Sequence, residues 1–204
     1  MIYFVTAIHT DSGKTVVSAI LCKALQADYW KPVQCGLPAD TDTVKSLLGN
    51  TYSICHQEVY RLKMPASPHV AAKAENINIH LHDIRLPQHD QNTLIIEGAG
   101  GILVPLNDNE YVIDIAEKFN AQVILVSNHY LGSINHTLLT CAELKKRNLR
   151  VKGIVFNGNP YPEAEEHILR KTGYKCLLRI KPEKEVNEEM ITRYAIQLFE
   201  QWNE

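Results

Sequence analysis

Apolar residues along this chain fall into short unbroken runs, separated by stretches in which they recur at helical spacing. Residues 2–7 (IYFVTA) form one such run and predict a buried strand, and residues 13–27 (GKTVVSAILCKALQA) predict the helix it feeds. Residues 29–34 (YWKPVQ) are extended, because Pro32 disfavours helix at Lys31. Residues 93–101 (TLIIEGAGG), 122–128 (QVILVSN) and 151–158 (VKGIVFNG) predict further strands, with a helix over 133–147. Near the end, Val186, Met190, Ile191, Tyr194, Leu198, Phe199 and Trp202 mark a helix with one buried face, which core packing explains without any chemistry. Residues 50–92, rich in histidine and interrupted by Pro65, Pro68 and Pro87, predict a long irregular excursion.

Strands that are apolar throughout, alternating with helices, imply a mostly parallel sheet with helices on both faces. No linker or repeat divides the chain, so residues 1–204 are expected to form one α/β domain. In such sheets ligands bind beyond the carboxyl ends of the strands. Attention therefore falls on 8–15, 34–42, 97–101, 128–136 and 157–160.

Composition narrows the classes. A formal charge of −2 offers no general attraction to nucleic acid or an anionic membrane, so neither is expected as a partner and any anion site must be built locally. Cys22, Cys35, Cys55, Cys141 and Cys176 are odd in number and widely spaced, which argues against a disulfide framework and a zinc site. The run after Met1 is too short for a signal peptide, and no stretch approaches the ~20 apolar residues of a membrane span. A reducing cytoplasm is the expected compartment.

The chemistry concentrates in the segments that follow strands. Ser12-Gly13-Lys14-Thr15 ends like a phosphate-binding loop, although the usual Gly-x4-Gly-Lys-Thr pattern would place its first glycine where Ile8 stands. A strand, a tight loop and a helix opening on Gly-Lys-Thr is the context for phosphate. Backbone N–H groups face the anion, Lys14 reaches the outer phosphates and the Thr15 hydroxyl is a Mg²⁺ ligand. Glu97 ends an apolar strand where a carboxylate completes such a site, and Gly98, Gly100 and Gly101 let backbone approach a ligand. Lys31, among Trp30, Pro32 and Val33, reads equally well as a functional cation or as a stem packed under an ammonium in water. Asp40 and Asp42 are both candidate Mg²⁺ carboxylates. Gly132-Ser133 opens a helix, which by itself reads as capping by Ser133.

Together these stretches resemble the dethiobiotin synthetase family, whose loop is Gly-Thr-Asp-Thr-x-x-Gly-Lys-Thr, one residue longer than the usual pattern. In that register Thr10, Gly13, Lys14 and Thr15 match, while Ala7, Ile8 and His9 stand where the family has Gly, Thr and Asp. Trp30 to Val33, Ser67-Pro68-His69, Glu97 to Gly101 and Leu131 to His136 follow in family order, so the resemblance spans about residues 1–160. The sequence RIKPEKE stands where the family has an adenine-side loop with an Ile-Pro pair.

The resemblance implies a P-loop NTPase-like fold and a Mg²⁺-ATP-dependent ligase that closes 7,8-diaminopelargonic acid and CO2 into a cyclic urea in biotin biosynthesis. It implies catalytic roles for Lys31, Lys14 and Thr10. It assigns the nucleotide to Asp11, Ser12, Gly13, Lys14, Thr15, Val16, Glu97, Gly98, Ala99, Gly100 and Asn157, and Mg²⁺ to Thr15, Asp42 and Glu97. Substrate falls to Thr10, Lys31, Cys35 (a serine in the family) and Gly100, together with Leu131, Gly132, Ser133 and Asn135 contributed by the partner subunit of a homodimer. A regulatory ATPase of the ParA/MinD type is the alternative; such proteins carry an extra lysine early in the loop, and here no lysine precedes Lys14. A member that binds nucleotide without turnover is a second, motivated by Ala7, Ile8 and His9.

Overall fold

The computed structural model describes residues 1–49, 52–88 and 93–202. The chain opens with β1 (Ile2–Ala7), α1 (Lys14–Leu25), β2 (Asp28–Trp30), β3 (Val33–Cys35) and α2 (Asp40–Leu48). It continues through β4 (Cys55–His56), β5 (Tyr60–Leu62), α3 (Pro68–Ala74), a 3-10 turn (Leu81–Asp83), β6 (Leu94–Gly101) and α4 (Asp114–Lys118). The last elements are β7 (Gln122–Asn128), α5 (Ser133–Lys146), β8 (Val151–Asn157), α6 (Pro162–Thr172), β9 (Cys176–Ile180) and α7 (Glu188–Gln201).

Seven strands form one sheet in the order β4-β2-β6-β1-β7-β8-β9, and every neighbouring pair is parallel. The unbroken apolar runs follow from this burial on both faces. On β1, Tyr3, Val5 and Ala7 enter one core and Phe4 the other; on β6, Ile95 enters the first and Leu94 and Ile96 the second. The first core is closed by α1 (Val17, Ile20, Leu21), α2 (Val44, Leu47, Leu48) and α7 (Met190, Ile191, Tyr194, Leu198). Helices α3, α4, α5 and α6 cover the opposite face through Ala72, Ile115, Leu144 and Ile168.

Three sequence expectations change in detail. Residues 29–34 are two strands, because the chain turns out of the main sheet at Lys31-Pro32 and β3 pairs with β5 in a separate two-stranded sheet. The stretch 50–92 is less irregular than its prolines suggest: it carries β4, β5, α3 and the 3-10 turn, while residues 50, 51 and 89–92 lie outside the described residues. Helices α2 and α6 and strand β9 are additions to the expected elements. Among the described residues no helix is long and apolar enough to cross a membrane.

β1 sits between β6 and β7, and the chain leaves it first toward β2 and later toward β9. The connections thus diverge around the carboxyl end of β1, opening a crevice between the loops after β1, β2, β6 and β7. Ile124 on β7 is fully buried and Ile196 on α7 is 57% exposed. Ile124→Ala is expected to lower unfolding free energy in urea by about 2–5 kcal/mol, and Ile196→Ala by less than about 0.5 kcal/mol.

Candidate active site

A cleft of about 820 Å³ occupies this crevice. Thr10, Asp11, Gly13, Lys14 and Thr15 form one wall, Lys31 to Asp40 contribute a second, and Glu97, Ala99 and Gly100 form the floor, with Pro65 to Pro68 at the rim. Segments far apart in sequence meet here because the loops after β1, β2 and β6 of the main sheet, and those after β3 and β5 of the small one, open toward the same crevice.

The first wall is a phosphate loop in geometry as well as in sequence. Asp11 and Gly13 both take left-handed backbone (φ 60° and 95°), turning the chain so that α1 starts at Lys14 with its first amides toward the cleft. Gly13 is obligatory on two counts. Its φ disfavours a side chain, and a Cβ there would lie 2.4 Å from Nδ2 of Asn157. The loop is gripped from behind by the ends of two neighbouring strands. Ser12 donates its hydroxyl to Asn128 Oδ1 (2.6 Å), and Asn157 donates Nδ2 to the Ser12 carbonyl (2.8 Å).

Glu97 is the hub. Its carboxylate is 1% exposed, yet both oxygens have partners. Oε1 accepts from Thr15 Oγ1 and from Lys31 Nζ, each at 3.1 Å, and Oε2 accepts from the Tyr29 hydroxyl at 3.0 Å. Lys31 also pairs with Asp40 and is itself only 5% exposed. Burial pulls the Lys31 ammonium down, but Glu97 and then Asp40 outweigh it, so the group is held above the ordinary lysine range and stays charged. Lys14 moves the other way: burial lowers it, and the attraction of Glu97, opposed by repulsion from Lys31, does not make up for that burial. Burial, reinforced by Glu97, raises Tyr29 well above the usual phenol range, so it remains an O–H donor.

One placement departs from the sequence reading. Asp42 lies outside the cleft, with an exposed side chain that ion-pairs with Arg61 at 3.3 Å. Asp40 is the carboxylate that reaches Lys31, because residues two apart on a helix diverge and the first residue of α2 faces inward. Gln34 fixes that start, accepting from the Asp40 amide at 3.2 Å and donating to the Gly36 carbonyl at 3.0 Å. The segment of Leu131, Gly132, Ser133 and Asn135, expected to serve a partner's site, lies outside the cleft of its own chain. Leu131 is wholly exposed, Gly132 takes left-handed backbone (φ 102°) and Ser133 is buried, without a side-chain cap to the helix it begins. Of the remaining expected residues, Ser12, Val16, Gly98 and Asn157 adjoin the cleft without lining it, and Cys35 lines it. Tyr29, Gln34 and Asn128 carried no motif and emerge only from these contacts.

The donors suit a hard cation: two carboxylates and a hydroxyl, around a spot where Asp40 and Glu97 set two negative charges against the single Lys31 ammonium. Among the described residues no cluster of three or more His, Cys, Asp or Glu side chains could hold a metal by itself. A cation held here would take its remaining ligands from outside the protein, as suits Mg²⁺, which keeps waters and substrate phosphates rather than an all-protein cage.

Fold and site define a nucleotide-binding α/β protein of the P-loop class. Residues 2–190 match the model of a family described as an AAA domain. ATP-dependent dethiobiotin synthetase BioD of Cytophaga hutchinsonii is 60% identical over 203 residues, covering 99% of this chain and 98% of that protein. The same-named protein of Christiangramia forsetii is 44% identical over 195 residues, covering 95% and 93%. The chain belongs to the dethiobiotin synthetase family, and the likeness runs past residue 160 through the C-terminal segment. Among solved structures, a ParA family ATPase from Chlorobium tepidum (TM-score 0.55, 13% identity, 98% of this chain and 95% of that one) and the cell division ATPase MinD of Pyrococcus furiosus (0.55, 16%, 98% and 97%) share the fold. At that identity the likeness extends to the fold alone.

All five cysteines are free thiols, and burial pushes Cys35 from 9 up to about 11. Because the thiolate is the reactive form, its population near neutral pH falls roughly 100-fold relative to an unshifted thiol. Iodoacetamide at pH 7.5 is expected to leave Cys35 essentially unmodified, with labelling rising only toward pH 11, as read by mass spectrometry of the native protein.

Proposed function

We propose that this chain carries out the ATP-dependent carboxylation and ring closure of 7,8-diaminopelargonic acid to dethiobiotin, with Mg²⁺, in the cytoplasm. The observation that carries this reading is the meeting of Lys14, Lys31, Thr15, Asp40 and Glu97 in one cleft of a chain 60% identical to a named ATP-dependent dethiobiotin synthetase.

One amine of the diamine adds to CO2, giving a carbamate and releasing a proton. A carbamate oxygen then takes the γ-phosphoryl group of ATP, forming a carbamic-phosphoric anhydride and ADP. The second amine attacks the carbamoyl carbon, phosphate leaves, and a cyclic urea remains. No protein nucleophile is needed at any step; positioning and compensation of developing charge are.

The amides of Gly13 to Thr15 hold the phosphates, and Lys14 faces their outer oxygens. Lys31, kept charged by its two carboxylates, supplies positive potential on the opposite side, where the carbamate lies. Thr10, at the exposed rim of the loop, donates to the carbamate or the transferring phosphoryl group, and Gly100 leaves the floor open beneath it. Thr15, Asp40 and Glu97 would hold Mg²⁺, which when bound would neutralise developing charge on the phosphates. Asp40 takes the place in this set that the spacing gave to Asp42. Asn157 is anchored through its amide nitrogen to Ser12, which leaves Oδ1 to accept from the amino group of adenine.

The substrate carboxylate is assigned to the Leu131 to Asn135 segment of a second copy, making the enzyme a homodimer with shared sites. Support comes from the complete exposure of Leu131, from Leu139 at 61% on the helix that follows, and from the absence of this segment from the lining of its own cleft.

The test is phosphate release from purified protein with the diamine, bicarbonate and Mg²⁺, using ATP, GTP and CTP in parallel. Release that needs both the diamine and bicarbonate is expected. ATP hydrolysis indifferent to the diamine would overturn this reading in favour of a nucleotide switch. Lys31→Ala is expected to lower kcat by about 10²–10³ with the far-UV circular dichroism unchanged. Asp40→Asn should raise the Mg²⁺ concentration for half-maximal rate at least about tenfold, while Asp42→Asn stays within about twofold of wild type.

A further inference from the structure

Tyr29 belongs to no motif, yet it is fully buried and its hydroxyl donates to Oε2 of Glu97 at 3.0 Å. The geometry that brings them together is built into the sheet. Tyr29 on β2 lies in register with Ile95 on β6, two residues before Glu97, so Tyr29 and Glu97 share the α1 face as diagonal neighbours. Lys31, two residues beyond Tyr29, shares that face at the cleft. The Glu97 carboxylate is thereby divided: Oε2 turns inward to the phenol, and Oε1 turns outward to Thr15 and Lys31.

We infer that Tyr29 is a positioning residue for this reaction, whose hydroxyl locks the Glu97 carboxylate so that Oε1 is presented to the cation of the nucleotide site. Two physical points carry it. A buried carboxylate oxygen without a donor turns toward whatever donor is near, and the neighbours on the open side are Lys31 and Thr15. With Oε2 unpaired, both oxygens compete for the same ammonium and the outward oxygen loses its fixed direction. In addition, a phenol satisfies Oε2 without cancelling the negative charge of Glu97. A lysine or arginine in its place would neutralise the charge that a cation needs. This inference rests on the reading of Glu97 as a Mg²⁺-holding group.

The test uses the full chain with Tyr29→Phe, which removes one oxygen and keeps the ring. Mn²⁺ is titrated into protein with saturating ADP, with free metal read by electron paramagnetic resonance, and ADP binding is measured separately in chelator. About a tenfold weaker Mn²⁺ affinity is expected, with metal-free ADP affinity and thermal cooperativity retained and kcat at saturating Mg²⁺ within about twofold of wild type. Tyr29→Met, a flexible side chain without a donor, replaces it if the phenylalanine variant fails to fold. Wild-type Mn²⁺ affinity in the folded variant would overturn the inference, as would an equal loss of metal-free ADP binding. Glu97→Gln separates the two levels. If it weakens Mn²⁺ and Tyr29→Phe does not, only the role of Tyr29 falls; if Glu97→Gln leaves Mn²⁺ affinity unchanged, the reading of Glu97 falls as well.

Discussion

A carboxylate sealed from water at the end of a central strand governs how the rest of this molecule is arranged. Burying an unpaired charge costs several kcal/mol, so Glu97 is sustainable only where donors surround it. Those donors come from two separate places: Tyr29 and Lys31 around the end of β2, and Thr15 at the start of α1. Each is held by the parallel sheet and the helix packed over it. A change in sheet order or in the packing of α1 would strand the charge. Fold and site are therefore bound by one electrostatic requirement.

The same requirement sets the polarity of the cleft. Lys31 remains charged because Glu97 and Asp40 outweigh its burial, while Lys14 is lowered by burial and by its cationic neighbour. The two ammonium groups thus differ in how firmly they hold their protons, although both line one cleft. Under the proposed function, the phosphates of an entering nucleotide would bring negative charge to Lys14, whereas Lys31 is already paired with two carboxylates.

The phosphate loop departs from the family pattern at Ala7, Ile8 and His9, and the structure contains a brace around that loop. Ser12 is held through its side chain by Asn128 and through its carbonyl by Asn157, neighbours in register at the ends of β7 and β8. Ala7 itself is buried in the core and Ile8 packs at its edge, so the first residues of the loop serve packing. The left-handed turns at Asp11 and Gly13 then redirect the chain into α1.

The sequence by itself determined the long central strands, the helices that follow 13 and 133, the amphipathic C-terminal helix and the loop carrying Lys14 and Thr15. Each rests on a local signal: an apolar run, a helical period, or a glycine beside a phosphate-binding lysine. It left β9 unread, because a five-residue edge strand bearing Arg179, paired with Glu165, looks polar. It left β4 and β5 unread, since two- and three-residue strands have no period to detect. Only the tertiary structure shows that Asp40, and not Asp42, faces Lys31, because spacing fixes how far apart two residues are along a helix but not which one the helix turns inward. Only the tertiary structure linked Tyr29 to Glu97, which lie 68 residues apart. Their meeting depends on β2 and β6 being neighbours, and strand order is set by packing across the whole sheet.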